Sequence, residues 1–236
     1  MMLIRYLSQI GSYFLMLKEI FSKQTKWSMM RPLIFKEIDD LIFGSLGIVA
    51  FISFFVGGVV AIQTALNLNN PLIPKYLIGF ATRESVILEF APTFISIVMA
   101  GKMGSFITSS IGTMRVTEQI DALEVMGVNS VNYLVFPKLI AIMFYPFIVG
   151  ISMFLGVFGG YIAAVYGGFG SSSDFIAGLQ QEFIPFHITY AFIKTFIFGL
   201  LLASIPSFHG FYMKGGALEV GKASTNAVVY SSIFIL

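Results

Sequence analysis

Gly216, Gly221 and Lys222 stand at the spacing of a phosphate-binding loop, but the position that would offer a hydroxyl to magnesium is Ala223. No buried strand is expected before them, so the run does not read as a nucleotide site. His187 and His209 are far apart, neither sits in an HExxH arrangement, and the chain has no cysteine. These spacings assemble no metal set and no nucleophile beside a base, so neither a catalytic residue nor a cofactor is expected. Two features do carry chemistry. Glu89 and Lys194 are charges within apolar stretches, and each costs about 2.5–3.5 kcal/mol at a helix centre on insertion scales. Such groups face a cavity or a partner more often than lipid; a snorkelling side chain or a structural ion pair is the alternative. The second feature is Met114 to Asn129, MRVTEQIDALEVMGVN. Thr117 reads as its N-cap, Glu118 as a first-turn anion and Gly127 as its terminator. Ile120, Leu123 and Met126 or Gly127 share one face, while Glu118, Asp121 and Glu124 populate another. A solvated connector needs no such order, so the run predicts a helix that docks a partner.

The elements that must position these groups are membrane helices. Of 236 residues 57% are hydrophobic and 11% charged, and the mean hydropathy is +0.88; a soluble domain carries about 25% charged residues. The length leaves room for about four to six spans and no separate soluble domain. A net charge of +2 gives no reason to expect nucleic acid. We expect an all-α polytopic membrane protein with one domain over residues 1–236, in which residues 1–40 form an interfacial helix and a cytoplasmic linker and residues 41–236 the transmembrane bundle. Residues 1–22, broken by Arg5, Gln9, Lys18 and Glu19, suit the headgroup layer, and Lys23, Lys26, Arg31 and Lys36 mark the linker, with Trp27 as an interface anchor. The first span is Leu41 to Leu66, and Asn67 to Lys75, with Pro71 and Pro74, is a turn. The second apolar region, Tyr76 to Gly101, contains Arg83, Glu84 and Glu89, so its first third is expected to run along the interface. Leu139 to Tyr166 is the third span, kinked at Pro146; Ser173 and Asp174 open a short external helix; Phe186 to Ile205 is the fourth span. Asn226 to Leu236 begins a fifth, incomplete at residue 236. Ala100, Gly104, Thr108 and Gly112, and the pair Gly156 and Gly160, are stripes of small residues that let helices approach closely. Leaving aside Lys194, eleven Lys and Arg residues fall on the side of the N-terminus and two, Lys75 and Arg83, on the other. The N-terminus is therefore expected in the cytoplasm and the 167–185 loop outside.

AGKMGS (100–105), GTMRVTEQIDALEVMGVN (112–129), FHGF (208–211) and GKAST (221–225) resemble the MlaE/YrbE permeases, the membrane subunits of ABC transporters that move lipids between bacterial membranes. The resemblance implies a homodimer in the bacterial inner membrane, a cytoplasmic ABC ATPase below it and MCE-domain substrate-binding proteins above it. It makes the helix of Glu118, Gln119, Ile120, Asp121, Leu123 and Glu124 the coupling helix seated in the ATPase. It also implies a lipid path in which Glu89 and Lys194 face the cavity; lipid tails can rest on Phe54, Phe55, Val59 and Ile62. Where relatives commonly read Arg-Glu-Leu-Gly-Pro, this chain has Leu88, Glu89, Phe90, Ala91 and Pro92, and Ser110 stands where many have Glu. Two rival readings are a membrane scaffold that transports nothing and an intramembrane lipid-modifying enzyme; the missing nucleophile and metal sets disfavour the second.

Overall fold

The computed structural model describes residues 2–22, 25–68 and 73–236, with side chains from residue 7 onward. Lys23, Pro71 and the Arg5 side chain lie outside the described residues. All regular structure among them is helical. The helices are α1 (Met2–Ile20), α2 (Trp27–Glu37), α3 (Leu46–Asn67), α4 (Tyr76–Ser85), α5 (Ile95–Met99), α6 (Ser105–Val116), α7 (Gln119–Val125), α8 (Ser130–Ile142), α9 (Tyr145–Tyr166), α10 (Ser172–Gln180), α11 (Pro185–Phe211) and α12 (Ala217–Ile235). Wider π turns at Ile38–Ile42, Val86–Phe94 and Ala100–Gly104 join several of them into longer runs. Four runs are long and apolar enough to cross a membrane: Trp27–Asn67, Tyr76–Val116, Ser130–Tyr166 and Pro185–Phe211. The polar first half of α12, with Glu219, Lys222, Ser224, Thr225 and Asn226, keeps that helix out of this set.

Several boundaries differ from the sequence expectation. The basic stretch expected as a linker is largely helical: Arg31 and Lys36 lie within α2, whose Met30 and Ile34 are buried. The second region does not break near Arg83, because helix continues from Tyr76 to Val116. The third run does break where Pro146 predicts, at the turn of Met143 and Phe144, three and two residues before a proline that has no N–H to continue the helix. α10 is capped by Ser171 instead of Ser173. The Ser171 hydroxyl accepts from the Asp174 amide, and Asp174 accepts from the Ser171 amide. The Ser171 hydroxyl also donates to Asp174 Oδ2 at 2.6 Å, and this bond first, then the one from the Ser171 amide, holds the Asp174 carboxyl below its usual range.

The chain forms two compact units. In the unit made of the chain up to Phe43, Met99–Phe144 and Gly199–Leu236, the end of α1 is capped by side-chain amides of the α8 region. Asn132 Nδ2 donates to the Ile20 carbonyl at 2.7 Å and Asn129 Nδ2 to that of Glu19 at 3.2 Å, satisfying acceptors that a helix end leaves open. A buried ion pair of Lys138 with Glu37 ties α8 to α2. The small-residue stripe packs as expected: Gly104 faces Pro206 and Val228, and the Thr108 hydroxyl donates to the Pro206 carbonyl at 3.0 Å.

In the unit of Gly44–Val98 and Tyr145–Phe198, α3 crosses α9 through glycine. A Cβ on Gly57 would lie 1.8 Å from the Gly156 carbonyl oxygen, and Ser53 Oγ donates to Ser152 Oγ at 2.7 Å beside it. α4 meets α10 in the same way, since a Cβ on Gly178 would lie 2.0 Å from the Tyr76 carbonyl oxygen. Arg83, expected at the interface, is 3% exposed. Its guanidinium donates to the carbonyls of Leu179 (2.7 Å) and Gln181 (3.0 Å) at the end of α10, pairs with Glu84 at 2.6 Å, and lies over the rings of Phe80 and Phe183. Burial of this charge is offset because nearly every donor has an acceptor.

The glycine crossing generates a prediction. Gly57→Ala forces backbone against backbone, so it lowers stability by about 1–3 kcal/mol or more, whereas Gly47→Ala, which meets nothing within 4 Å, is neutral or mildly stabilising. Thermal unfolding of the detergent-purified variants measures this; equal midpoints for the two would contradict the packing.

Candidate functional site

The intramembrane charges expected to matter are brought together. Glu89 lies on the π turn of Val86–Phe94 and Lys194 on α11, with Glu89 Oε2 and Lys194 Nζ 3.1 Å apart. The local cause is Pro92. It has no N–H to give to the Leu88 carbonyl four residues earlier, and Lys194 Nζ donates to that carbonyl at 3.3 Å. Thr93 Oγ1 donates to Glu89 Oε2 at 3.2 Å, and the rings of Tyr190 and Phe198 flank the ammonium at about 6 Å. The pair is lopsided: the Lys194 side chain is 18% exposed and that of Glu89 66%. The carboxylate therefore keeps acceptor capacity that a polar ligand group can use.

In the same unit a groove of about 460 Å³ opens along α3. Phe55 and Val59 line it together with Phe90 and, as a polar margin, Gln63, Thr64 and Ser85. Phe54 and Ile62 do not: the Phe54 ring turns toward Phe158, 6.3 Å away, and Ile62 is exposed off the groove. The sequence assigns all four to one path because α3 is apolar all round, whereas the glycine crossing onto α9 selects which face remains outward.

The acidic run forms α7 in the other unit, with altered ends. Thr117 caps no helix N-terminus; it closes α6, its hydroxyl donating to the Thr113 carbonyl at 2.9 Å. Glu118 lies before the first turn, at φ 58°, the left-handed conformation that reverses the chain. At the other end Gly127 does terminate the helix. Its amide donates to the Glu124 carbonyl and that of Val128 to Leu123, with Gly127 at φ 75°. Ile120 is fully buried within its own unit and Leu123 is half-buried. Asp121 accepts from Arg115 at 2.8 Å and Glu124 from the Ser130 hydroxyl at 2.8 Å. The exposed residues of this segment are Glu118, Gln119, Asp121, Ala122, Glu124, Val125, 89% exposed, and Met126; the sequence reading does not group Val125 with the docking residues and places Met126 on the apolar face. A helical projection places Met126 beside Ile120 and Leu123, but the helix has ended by then.

The remaining chemistry-bearing residues are structural. Gly216 precedes α12, and Gly221 and Lys222 are inside it, with Lys222 paired to Glu219 at 2.6 Å, so this is helix and not a phosphate loop. His187 Nδ1 lies 2.9 Å from Glu84, and His209 stacks on Tyr230 with centroids 5.3 Å apart. No group of three metal-binding side chains occurs among the described residues.

Comparison with known proteins shows the family. The family model of the permease MlaE matches residues 34–236. A probable ABC transporter permease protein of Rickettsia bellii is 37% identical over 239 residues, covering 99% of this chain and 90% of the relative. One from Synechocystis is 33% identical over 192 residues, covering 81% and 73%. Protein TRIGALACTOSYLDIACYLGLYCEROL 1, chloroplastic, of Arabidopsis thaliana is 34% identical over 199 residues, covering 81% of this chain and 55% of the relative. A permease provides passage without converting its cargo, so the chain is not itself an enzyme. With four apolar helical runs and a match over most of its length, this multi-pass membrane protein belongs to the MlaE permease family.

Proposed function

We propose that the chain is the transmembrane permease subunit of an ABC transporter that moves phospholipid or a similar lipid between bacterial membranes. In this reading it works as a homodimer in the inner membrane, powered by a cytoplasmic ATPase and joined outside by an MCE-domain protein. The single observation that carries a lipid cargo is the pairing of a half-open charged group, Glu89 with Lys194, with an apolar groove in the same unit. An acyl chain fits the groove, while a headgroup needs the polar partners that hydrocarbon lacks. The name of the Arabidopsis relative, that of a glycosylated diacylglycerol, agrees with such a cargo. The exposed apolar side chains of α1, Leu7, Ile10, Phe14 and Leu15, favour an interfacial helix. The apolar second half of α12 favours its entering the membrane as a fifth helix. The charge asymmetry supports an N-terminus and α7 in the cytoplasm, where exposed Glu118, Val125 and Met126 would meet the ATPase.

Three measurements test this reading. Glu89→Gln or Lys194→Met lowers ATP-driven lipid transfer while the dimer persists; a purely structural pair would instead show as loss of stability, because one charge is left without its partner. Normal transfer by both stable variants contradicts the site. Glu118→Lys combined with Val125→Asp lowers recovery of the ATPase with the permease about tenfold or more, and undiminished recovery removes α7 from the docking role. Finally, in this cysteine-free chain, Ser173→Cys reacts with an impermeant thiol reagent added outside intact cells and Val125→Cys does not; the reverse pattern overturns the orientation.

A further inference from the structure

Arg115 is spent on two contacts that the docking reading does not use. It extends from the last turn of α6, and Nη1 donates to Asp121 Oδ1 of α7 at 2.8 Å. The flat face of the same guanidinium lies over the Phe211 ring at the end of α11, 5.3 Å from its centroid. Only a planar cation can do both, one edge donating and one face stacking. The three elements are also held to one another without it. The Glu118 amide donates to the Arg115 carbonyl at 3.2 Å, and Ile120 is fully buried. On α6, a Cβ at Gly112 would lie 3.0 Å from Met213 Sδ, and one at Gly210 of α11 would lie 2.9 Å from the Thr108 carbonyl oxygen. A close backbone approach of this kind cannot slide without disturbing its neighbours. The charge of Arg115 is felt further along the same segment. At Tyr212, burial first and then the negative charge of Glu19 push the phenol up, and Arg115 opposes them.

We infer that Arg115 is a positioning residue that ties α7 directly to the C-terminal end of α11, so that a displacement of the docking helix is passed to that end of α11. The inference rests on the reading of α7 as the ATPase-docking helix. It assigns Asp121 to this internal tie and leaves contact with the ATPase to Glu118, Val125 and Met126. Arg115 touches neither cargo nor nucleotide; its effect is on how much movement each ATP yields.

The test is the amount of lipid transferred per ATP hydrolysed, measured on the assembled permease and ATPase complex in vesicles of phosphatidylethanolamine and phosphatidylglycerol carrying a fluorescent phosphatidylethanolamine. Normalising to ATP hydrolysed keeps a change in assembly out of the ratio. Arg115→Gln lowers it at least about fivefold, the low end of ordinary coupling between sites. The exchange of Arg115→Asp with Asp121→Arg brings back a large part of the loss only if the ion pair matters. Arg115→Lys retains the charge without the stacked plane, so its ratio also falls, and it reads the same quantity if the Gln variant does not accumulate. A wild-type ratio for Arg115→Lys, or for Arg115→Gln where it accumulates, overturns the inference, and an exchange variant no better than the single change removes Asp121 from it. Failure of the wild-type chain to bind an ATPase is a different result, which defeats the docking reading itself.

Discussion

Hydrocarbon offers no water to an open backbone carbonyl or amide, so every interruption of a membrane helix must be completed by protein. This constraint, with the open carbonyls that any helix end leaves, accounts for most of the polar architecture. Pro92 cannot donate to the Leu88 carbonyl, and Lys194 reaches it. The end of α10 leaves carbonyls open, and Arg83 occupies them. The end of α1 is closed by Asn129 and Asn132. The polar side chains within the spans are thus largely committed to the fold, and a group with capacity to spare, such as the exposed carboxylate of Glu89, stands apart from them.

The second determinant is how closely helices approach. α3 lies against α9 through Gly57 and Gly156, which turns Ser53, Val60 and Ala61 inward. The opposite face, with Phe51, Phe55 and Val59, is left uncovered, and the groove lies along part of it. Packing glycine on one side of a uniformly apolar helix is therefore what gives the other side a shape. The groove and the Glu89–Lys194 pair follow from two independent local causes, a small-residue crossing and a proline, and a lipid needs both an apolar trough and a polar anchor.

Much of this is legible in the sequence, for identifiable reasons. Long uncharged runs have one outcome in a bilayer, so the positions of the spans follow from composition. Glu89 and Lys194 attract attention because a charge in such a run demands a partner. The role of Arg83 is not legible, since its acceptors are backbone carbonyls almost a hundred residues away and backbone carries no residue identity. The basic stretch around Arg31 reads as linker because its charges hide the buried pair Met30 and Ile34. On α7 the type of element is correct, and its acidic residues have local partners that the sequence does not show. Asp121 and Glu124 are exposed as an acidic face should be, but each also holds a neighbour, Arg115 and the Ser130 hydroxyl. Which of Phe54, Phe55, Val59 and Ile62 line the groove is not legible for a related reason: Phe54 and Phe55 are neighbours in sequence on a helix whose apolar composition does not say which way it faces.

The central claim is that this permease holds lipid and works with an ATPase. Native mass spectrometry of the complex, extracted gently from its own membrane through a tag on this chain, tests it most directly. The account predicts two copies of the chain, an associated ATP-binding subunit and retained phospholipid that is lost when Glu89 and Lys194 are both neutralised. A chain recovered alone, or an assembly whose bound lipid is indifferent to that change, would contradict it.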